Sequence, residues 1–161
     1  STAGMEASGT GNMKFALNGA LTIGTLDGAN VEMLEHVGDE NIVIFGKTAE
    51  EVAQARADGH NPRAIIESSR ELSQALSAIA SGVFSPDDRS RFAGLMDGIY
   101  NNDWFMVAAD FDSYAKAQRD VDAIWSDPAS WYSKTIYSTA RMGWFSSDRT
   151  IRQYASEIWR A

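Results

Sequence analysis

The chain has 161 residues, of which 44% are hydrophobic, a formal net charge of −8 and no cysteine. Its length suits a single domain, and its acidic balance argues against nucleic acid or an anionic membrane as a partner. The lack of Cys excludes a disulfide framework and fits a reducing cytoplasm. No apolar run is long enough to span a membrane, and no leader pattern is present. The first residue is Ser, as in a fragment or a processed product.

The first element is a small-residue loop that leads into a short helix, with the sequence Glu6-Ala7-Ser8-Gly9-Thr10-Gly11-Asn12-Met13-Lys14. Gly9 and Gly11 can adopt the positive φ that a tight anion-cradling loop often requires. Asn12 is expected to cap a helix running from about Met13 to Asn18, with Gly19 in the stop position. The free N–H groups of the first turn would then favour an anion in the loop.

Lys14 is expected in the first turn of this helix, with Met13 and Phe15 partly desolvating its amine. Desolvation favours the neutral, nucleophilic form of an amine. A phosphate cradle beside such a lysine suits pyridoxal phosphate, whose aldehyde forms a Schiff base with an amine. From the residues alone, a plain turn with a solvated lysine fits equally well, and the stretch matches neither a Walker loop nor the dinucleotide fingerprint.

A β-α-β unit is predicted next. It comprises a short buried strand over Leu21–Thr25, a helix from about Ala29 to Val37 stopped by Gly38, and a buried parallel strand over Ile42–Phe45. Gly24 and Gly28 at the first strand-to-helix turn resemble the ligand edge of a Rossmann-like sheet, although a plain tight turn explains them as well. Asn30 and Glu32 are candidates for hydrogen bonds near the cofactor.

The rest of the chain reads as helices. Thr48 and Glu51 form a capping box that opens the first, which ends before Asp58-Gly59-His60-Asn61-Pro62. One helical segment is expected from Pro62 towards Gly82. Another is expected to start at Ser85-Pro86 and Asp88, with Pro86 at its first position, and to end at Asn101-Asn102-Asp103. The apolar faces of these two segments are Ile65, Ile66, Leu72, Leu76 and Ile79, then Phe92, Leu95, Met96, Ile99 and Tyr100.

Three further helices complete the prediction. They are capped by Asp110, Asp127 and Ser147-Asp148, and the second is stopped by Gly143. Their expected inward faces are Tyr114, Ala115, Val121, Ile124 and Trp125, then Trp131, Thr135, Ile136 and Ala140, and finally Ile151, Tyr154, Ala155, Ile158 and Trp159. His36 and His60 have no ligand partners at metal spacing, so no metal site is predicted, and His60 is expected in a loop.

Three stretches closely resemble the α-glucan phosphorylases. They are Ser1-Thr2-Ala3-Gly4, the nine residues of the loop and helix start with their continuation FALNGALTIGTLDGANVE over residues 15–32, and Phe145-Ser146-Ser147-Asp148-Arg149-Thr150-Ile151. The resemblance extends over the whole chain, but it is to the C-terminal end of a phosphorylase only. These motifs are long, which makes a chance match improbable.

The resemblance implies a site. Lys14 is similar to the lysine that holds pyridoxal phosphate as a covalent Schiff base, and Gly9, Thr10 and Gly11 look like the loop beside the cofactor phosphate. Glu6, Ser8 and Gly9 look like the residues that hydrogen-bond the glucose unit being transferred, which makes Lys14 and Glu6 the catalytic candidates. In this family the cofactor phosphate relays a proton while a glucosyl unit passes from an α-1,4-glucan to inorganic phosphate, giving glucose-1-phosphate.

The implied fold is α/β: the C-terminal part of a Rossmann-like domain in the two-domain glycosyltransferase fold, mostly helical with a short parallel β-α-β unit. Residues 1–145 would belong to the domain that binds pyridoxal phosphate, and residues 146–161 to a helix that packs on the absent N-terminal domain. Full-length members are usually cytoplasmic homodimers, and this piece alone is expected to be inactive. The competing hypothesis is a non-catalytic helical module that binds a phosphate-bearing ligand or a partner chain.

Overall fold

A computed structural model describes residues 2–5 and 9–160 as a mostly helical molecule with one small parallel sheet. In the described residues the elements are α1 (Thr10–Leu17), β1 (Ile23–Gly24), α2 (Ala29–Val37), β2 (Val43–Ile44), α3 (Ala49–Ala57), α4 (Pro62–Ser68), α5 (Arg70–Ala80), α6 (Ala93–Asn101), α7 (Val107–Trp125), α8 (Pro128–Arg141) and α9 (Ser147–Gln153). Short 3₁₀ turns lie at Asp39–Asn41 and Met142–Phe145, and a π-helical turn follows α9 at Tyr154–Trp159. None of these helices combines the length and apolar character needed to cross a bilayer.

The predicted β-α-β unit is confirmed, with shorter strands than expected. β1 and β2 pair in parallel, with Ile23 opposite Val43 and Gly24 opposite Ile44. Hydrogen bonds from Val43 N to Thr22 O (2.9 Å) and from Phe45 N to Gly24 O (3.0 Å) hold the pair together. α2 ends at Gly38, whose φ of 82° places it in the left-handed region that favours glycine.

Helix α1 starts earlier than predicted. Its N-cap position is Gly9, and Asn12 lies inside the first turn, where it does not cap the helix. Because the helix begins at Thr10, Lys14 lies beyond the first turn. The predicted stop is confirmed, since Gly19 follows the helix with φ 80° and its N–H donates to Ala16 O at 3.1 Å.

For the next helices, two of the predictions from local sequence are confirmed and two are wrong. The Thr48–Glu51 capping box and Pro62 at the first turn of α4 are present. The single segment predicted from Pro62 is two helices, because Ser69 leaves helical geometry and its Oγ accepts Leu72 N to cap α5. The predicted helix start at Ser85-Pro86 is wrong, since α6 begins at Ala93. The Asp88 carboxylate accepts both Ser90 N (3.0 Å) and Ser90 Oγ (2.7 Å), which favours a turn there.

Helix α7 is capped by a different aspartate from the one predicted. The buried Asp103 carboxylate accepts the N–H groups of Ala108 (3.0 Å) and Ala109 (3.2 Å), whereas Asp110 lies within the first turn. His60 is in the α3–α4 loop, as expected, and its Nε2 lies 3.1 Å from Asp103 Oδ2. The cap therefore connects two loops that are 43 residues apart in sequence.

The inward faces predicted for α7 and α8 are partly wrong. Tyr114 and Trp125 on α7 are 43% and 64% exposed, and Ile136 on α8 is 67% exposed. The buried positions of the two helices are small or polar: Thr135 is buried as predicted, and the others include Ala108, Asp110, Ala117 and Ser138. α8 packs on both α7 and α1. The predicted cap at Asp127 is confirmed, and α8 ends just before Gly143.

Two main clusters of buried apolar side chains form the core. The first joins α1, α2, β2 and the end of α8 and contains Ala16, Met33, Val37, Ile42 and Met142. The second lies among α4 to α7 and contains Ile66, Leu72, Leu76, Met96 and Ala108. The first cluster fixes α1 and α2 against the sheet, and so determines where the predicted cradle lies.

Candidate active site

Two helix starts meet at the carboxyl end of β1. α1 begins at Thr10. α2 begins at Ala29, five residues after the last strand residue Gly24 and four after the buried Thr25. The first helical hydrogen bond of α1 runs from Met13 N to Gly9 O at 3.3 Å, so the amides of Thr10, Gly11 and Asn12 precede the helical ladder. A helix start with such amides, at the carboxyl edge of a parallel sheet, is a favourable place for an anion.

The close approach of the two helices requires glycine at position 9. A Cβ on Gly9 would lie 2.5 Å from Ala29 Cβ, well inside van der Waals contact. A Cβ on Gly11 would meet no atom of the described residues within 4 Å, and both Thr10 and Gly11 are exposed. Gly9 therefore serves the packing of α1 on α2, whereas the backbone at Gly11 is open to a ligand.

The environment of Lys14 differs from the expectation. Its side chain is exposed, and the neighbouring Phe15 is 68% exposed, so Phe15 does not shield the amine from water in this chain. The residue of α1 that points inward is Ala16, which is fully buried. The predicted desolvation is therefore wrong for the described residues, because the buried stripe of α1 runs along the opposite side from Lys14 and Phe15.

The remaining predicted site residues have mixed outcomes. Glu6 and Ser8 lie outside the described residues. Asn30 is buried and Glu32 is exposed. Gly28 forms the predicted turn with φ 53°, and a Cβ on Gly24 would lie 2.4 Å from Asn30 Nδ2, so Gly24 makes room for that side chain. In the described part of the chain no group of three or more His, Cys, Asp and Glu side chains is placed to hold a metal ion.

The structure places a buried carboxyl group, that of Asp110, at the end of β2, which the sequence did not predict. Asp110 Oδ1 accepts Lys47 N at 3.0 Å, and Ser113 Oγ accepts Gly46 N at 3.0 Å, so α7 binds the backbone just after the strand. Burial raises the pKa of Asp110, and the hydrogen bond from Lys47 opposes this effect. Asp110 borders a cavity of about 530 Å³ whose walls include the rings of Phe45, Phe105 and Tyr114.

Comparison with known proteins decides the family. A family model described as carbohydrate phosphorylase matches residues 1–161.

The chain belongs to the carbohydrate phosphorylase family.

Individual members of this family match the chain at about half of all positions. The chain is 49% identical over 160 residues to the glycogen phosphorylase of Haemophilus influenzae, covering 99% of this chain and 20% of that relative. It is 51% identical over 159 residues to the brain form of glycogen phosphorylase from Rattus norvegicus, and 50% identical over 159 residues to the glycogen phosphorylase of Synechocystis. Each of these two matches covers 99% of this chain and 19% of the relative. This carbohydrate phosphorylase chain thus spans about one fifth of the length of the curated relatives that it matches.

The family resemblance stated from the sequence is confirmed, but the sequence did not indicate how the site is assembled in this carbohydrate phosphorylase chain. Asn12 was expected to cap α1 and instead hydrogen-bonds Asn30, 18 residues away. Asp110 was also expected to cap a helix, and it binds the end of β2. The sequence signal at both sites was an Asn or Asp residue at a predicted helix start. The hydrogen-bond partner of such a side chain depends on which elements pack together.

Proposed function

We propose that this chain forms one wall of the active site of an α-glucan phosphorylase, an enzyme that transfers a glucosyl unit from an α-1,4-glucan to inorganic phosphate. The observation that carries the proposal is the open start of α1 at the carboxyl end of the sheet, in a chain that belongs to the carbohydrate phosphorylase family. The relatives named glycogen phosphorylase support the choice of substrate.

The residues at the start of α1 fit a pyridoxal phosphate group. The amides of Thr10 and Gly11 can donate to phosphate oxygens, and the open space at Gly11 lets an anion reach the backbone. Lys14 lies on the exposed side of the same helix, where its amine is accessible for covalent attachment of the cofactor. When bound, this cofactor supplies a phosphate group that exchanges a proton with the substrate phosphate.

The protein residues have separate roles in this proposal. Gly9, Thr10 and Gly11 hold the phosphate and Lys14 retains the cofactor, while Glu6, Ser8 and Gly9 bind hydroxyl groups of the transferred glucose. The start of α1 provides positive electrostatic potential where the anions meet, because each helix N-terminus carries roughly half a unit of positive charge. Preorganised dipoles of this kind stabilise charge that develops in a transition state.

The wider architecture follows from the same proposal. A sheet of two short strands is too small to be independently stable, so β1 and β2 would continue the sheet of a larger Rossmann-like domain. The segment from residue 146 onward would pack on another part of the protein, which agrees with exposures of 63% at Ile158 and 59% at Trp159. We further propose a cytoplasmic homodimer as the complete enzyme.

Covalent retention of the cofactor tests this function. In the full-length protein that carries this segment, Lys14→Ala should abolish pyridoxal phosphate that survives reduction and denaturation, together with phosphorolysis. Lys116→Ala is the matched control, since Lys116 is an exposed lysine on α7 that pairs with Asp120 at 2.5 Å. Cofactor retained on the Lys14→Ala protein would contradict the proposal and favour a non-catalytic phosphate-binding module.

A further inference from the structure

Asn30 occupies the junction between the two helix starts and the end of β1. Its side chain is buried, at 6% exposure. Asn30 Nδ2 donates to Thr25 O at 2.9 Å, and Asn30 Oδ1 accepts from Asn12 Nδ2 at 2.5 Å. The side-chain amide of Asn30, a residue of α2, is therefore bonded both to Thr25 after β1 and to Asn12 in α1.

These hydrogen bonds form a chain with a fixed direction. Met13 N donates to Asn12 Oδ1 at 3.1 Å, which leaves Asn12 Nδ2 as the group that donates to Asn30. Asn30 Oδ1 must accept from Asn12, so Asn30 Nδ2 donates to the carbonyl of Thr25. Turning the Asn30 amide over would place two donors together at one end and two acceptors together at the other.

Two glycines leave the space that this bridge occupies. A Cβ on Gly24 would lie 2.4 Å from Asn30 Nδ2, and a Cβ on Gly9 would lie 2.5 Å from Ala29 Cβ. Both glycines thus allow a close approach that side chains would prevent. The two helix N-termini carry partial positive charges of the same sign, so their approach is electrostatically unfavourable. The Asn12–Asn30 hydrogen bond is a direct attractive contact between them.

We propose that Asn30 is a positioning residue, which acts through Asn12 to hold the first turn of α1, and with it the phosphate cradle and Lys14, against the β1–α2 loop. This inference rests on the proposed function, because it assigns a consequence to the placement of α1. Asn30 does not contact the cofactor in this proposal. Its effect on cofactor binding depends on the hydrogen bond to Asn12.

A double-mutant cycle in the full-length protein tests the link. The variants are Asn12→Ala, Asn30→Ala and the pair, and the readouts are the dissociation constant of pyridoxal phosphate from the apo-protein and the absorbance of the bound cofactor. Each single substitution should weaken cofactor binding about tenfold, or about 1.4 kcal/mol. The double variant should also bind about tenfold more weakly, because both substitutions break the same chain of hydrogen bonds.

Asn41→Ala is the matched control. Asn41 is buried to a similar extent, at 7% exposure, and its Nδ2 donates to Val37 O at 2.7 Å at the opposite end of α2. Its substitution should lower thermal stability while leaving the dissociation constant of the cofactor within twofold of wild type. If Asn30→Ala does not fold, Asn30→Leu replaces it, since a side chain of similar size and no charge removes both the acceptor for Asn12 and the donor to Thr25.

The outcomes separate the inference from the function on which it rests. An additive cycle, in which the double variant binds the cofactor about a hundredfold more weakly, would overturn the role of the Asn12–Asn30 bond. Equal effects of Asn30→Ala and Asn41→Ala on the dissociation constant would also overturn it. If the unsubstituted protein holds no cofactor on Lys14, the proposed function fails, and the role of Asn30 in cofactor binding fails with it.

Discussion

Adding a methyl group at Gly9 and at Gly11 should have opposite effects on stability, although the two residues are only two positions apart at the start of α1. A Cβ at position 9 would lie 2.5 Å from Ala29 Cβ, whereas ordinary contact begins at 3.4 Å. The helices must therefore separate by about 0.9 Å, and overpacking of this kind costs about 1–3 kcal/mol. At Gly11 the methyl group meets no other described residue, and replacing a helical glycine by alanine stabilises a helix by roughly 0.5–1 kcal/mol.

The measurement is native-state amide hydrogen exchange of α1 in the full-length protein that carries this segment, compared among wild type, Gly9→Ala and Gly11→Ala. The free energies of local opening of α1 in the two variants should differ by about 1.5–4 kcal/mol, with Gly9→Ala below wild type and Gly11→Ala above it. Ala29→Gly in the Gly9→Ala background removes the clashing methyl group and should recover part of the loss. If Gly9→Ala is as stable as Gly11→Ala, α1 and α2 do not meet at this contact.

Three further predictions address other parts of the molecule. Burial raises the pKa of Asp110 above 3.8, so the folded state holds this proton more tightly than the unfolded state. Wild type should therefore lose stability relative to Asp110→Asn as the pH rises through the window above 3.8. Thermal unfolding of both proteins from acid to neutral pH measures this, and a difference in stability that does not change with pH would contradict it. The Trp144 ring lies 4.0 Å from both the Arg149 guanidinium and the His36 ring. Trp144→Ala should therefore speed amide hydrogen exchange in α9 by roughly two- to fivefold, which corresponds to a cation–π contact of about 0.5–1 kcal/mol. Trp125→Ala, the control, should leave exchange in α9 unchanged. Residues 1–161 expressed alone should self-associate and lack phosphorylase activity, which light scattering and a phosphorolysis assay measure; a monodisperse chain that releases glucose-1-phosphate from glycogen would refute this.

Local signals predicted much of the secondary structure. The glycine stops after α1 and α2, the capping box at Thr48–Glu51 and the Asp127 cap of α8 are all present. Each of these signals acts between residues at most four positions apart, so the chain specifies it before any tertiary contact forms. The motif around Lys14 likewise indicated the family from contiguous residues.

Polar residues with more than one available partner could not be assigned in this way. Asn12, Asp88 and Asp110 all read as helix-start residues, but Asn12 bonds Asn30, Asp88 forms a turn with Ser90, and Asp110 bonds the backbone of Lys47, 63 residues away. Asp103, which caps α7, was read only as part of a helix end. The choice among such partners depends on which donors are left without another bond once the helices pack, and this is a property of the assembled fold.

The same distinction applies to burial at the candidate site. The packing of α1 on α8 and its place in the first core cluster decided that Ala16 is buried and that Lys14 and Phe15 face water. The pattern of residue types, small residues followed by a lysine, predicted a phosphate cradle. The start of α1 lies at the carboxyl end of β1 through the contact between Gly9 and Ala29 and the Asn12–Asn30 bond, which join residues that only the folded chain brings together.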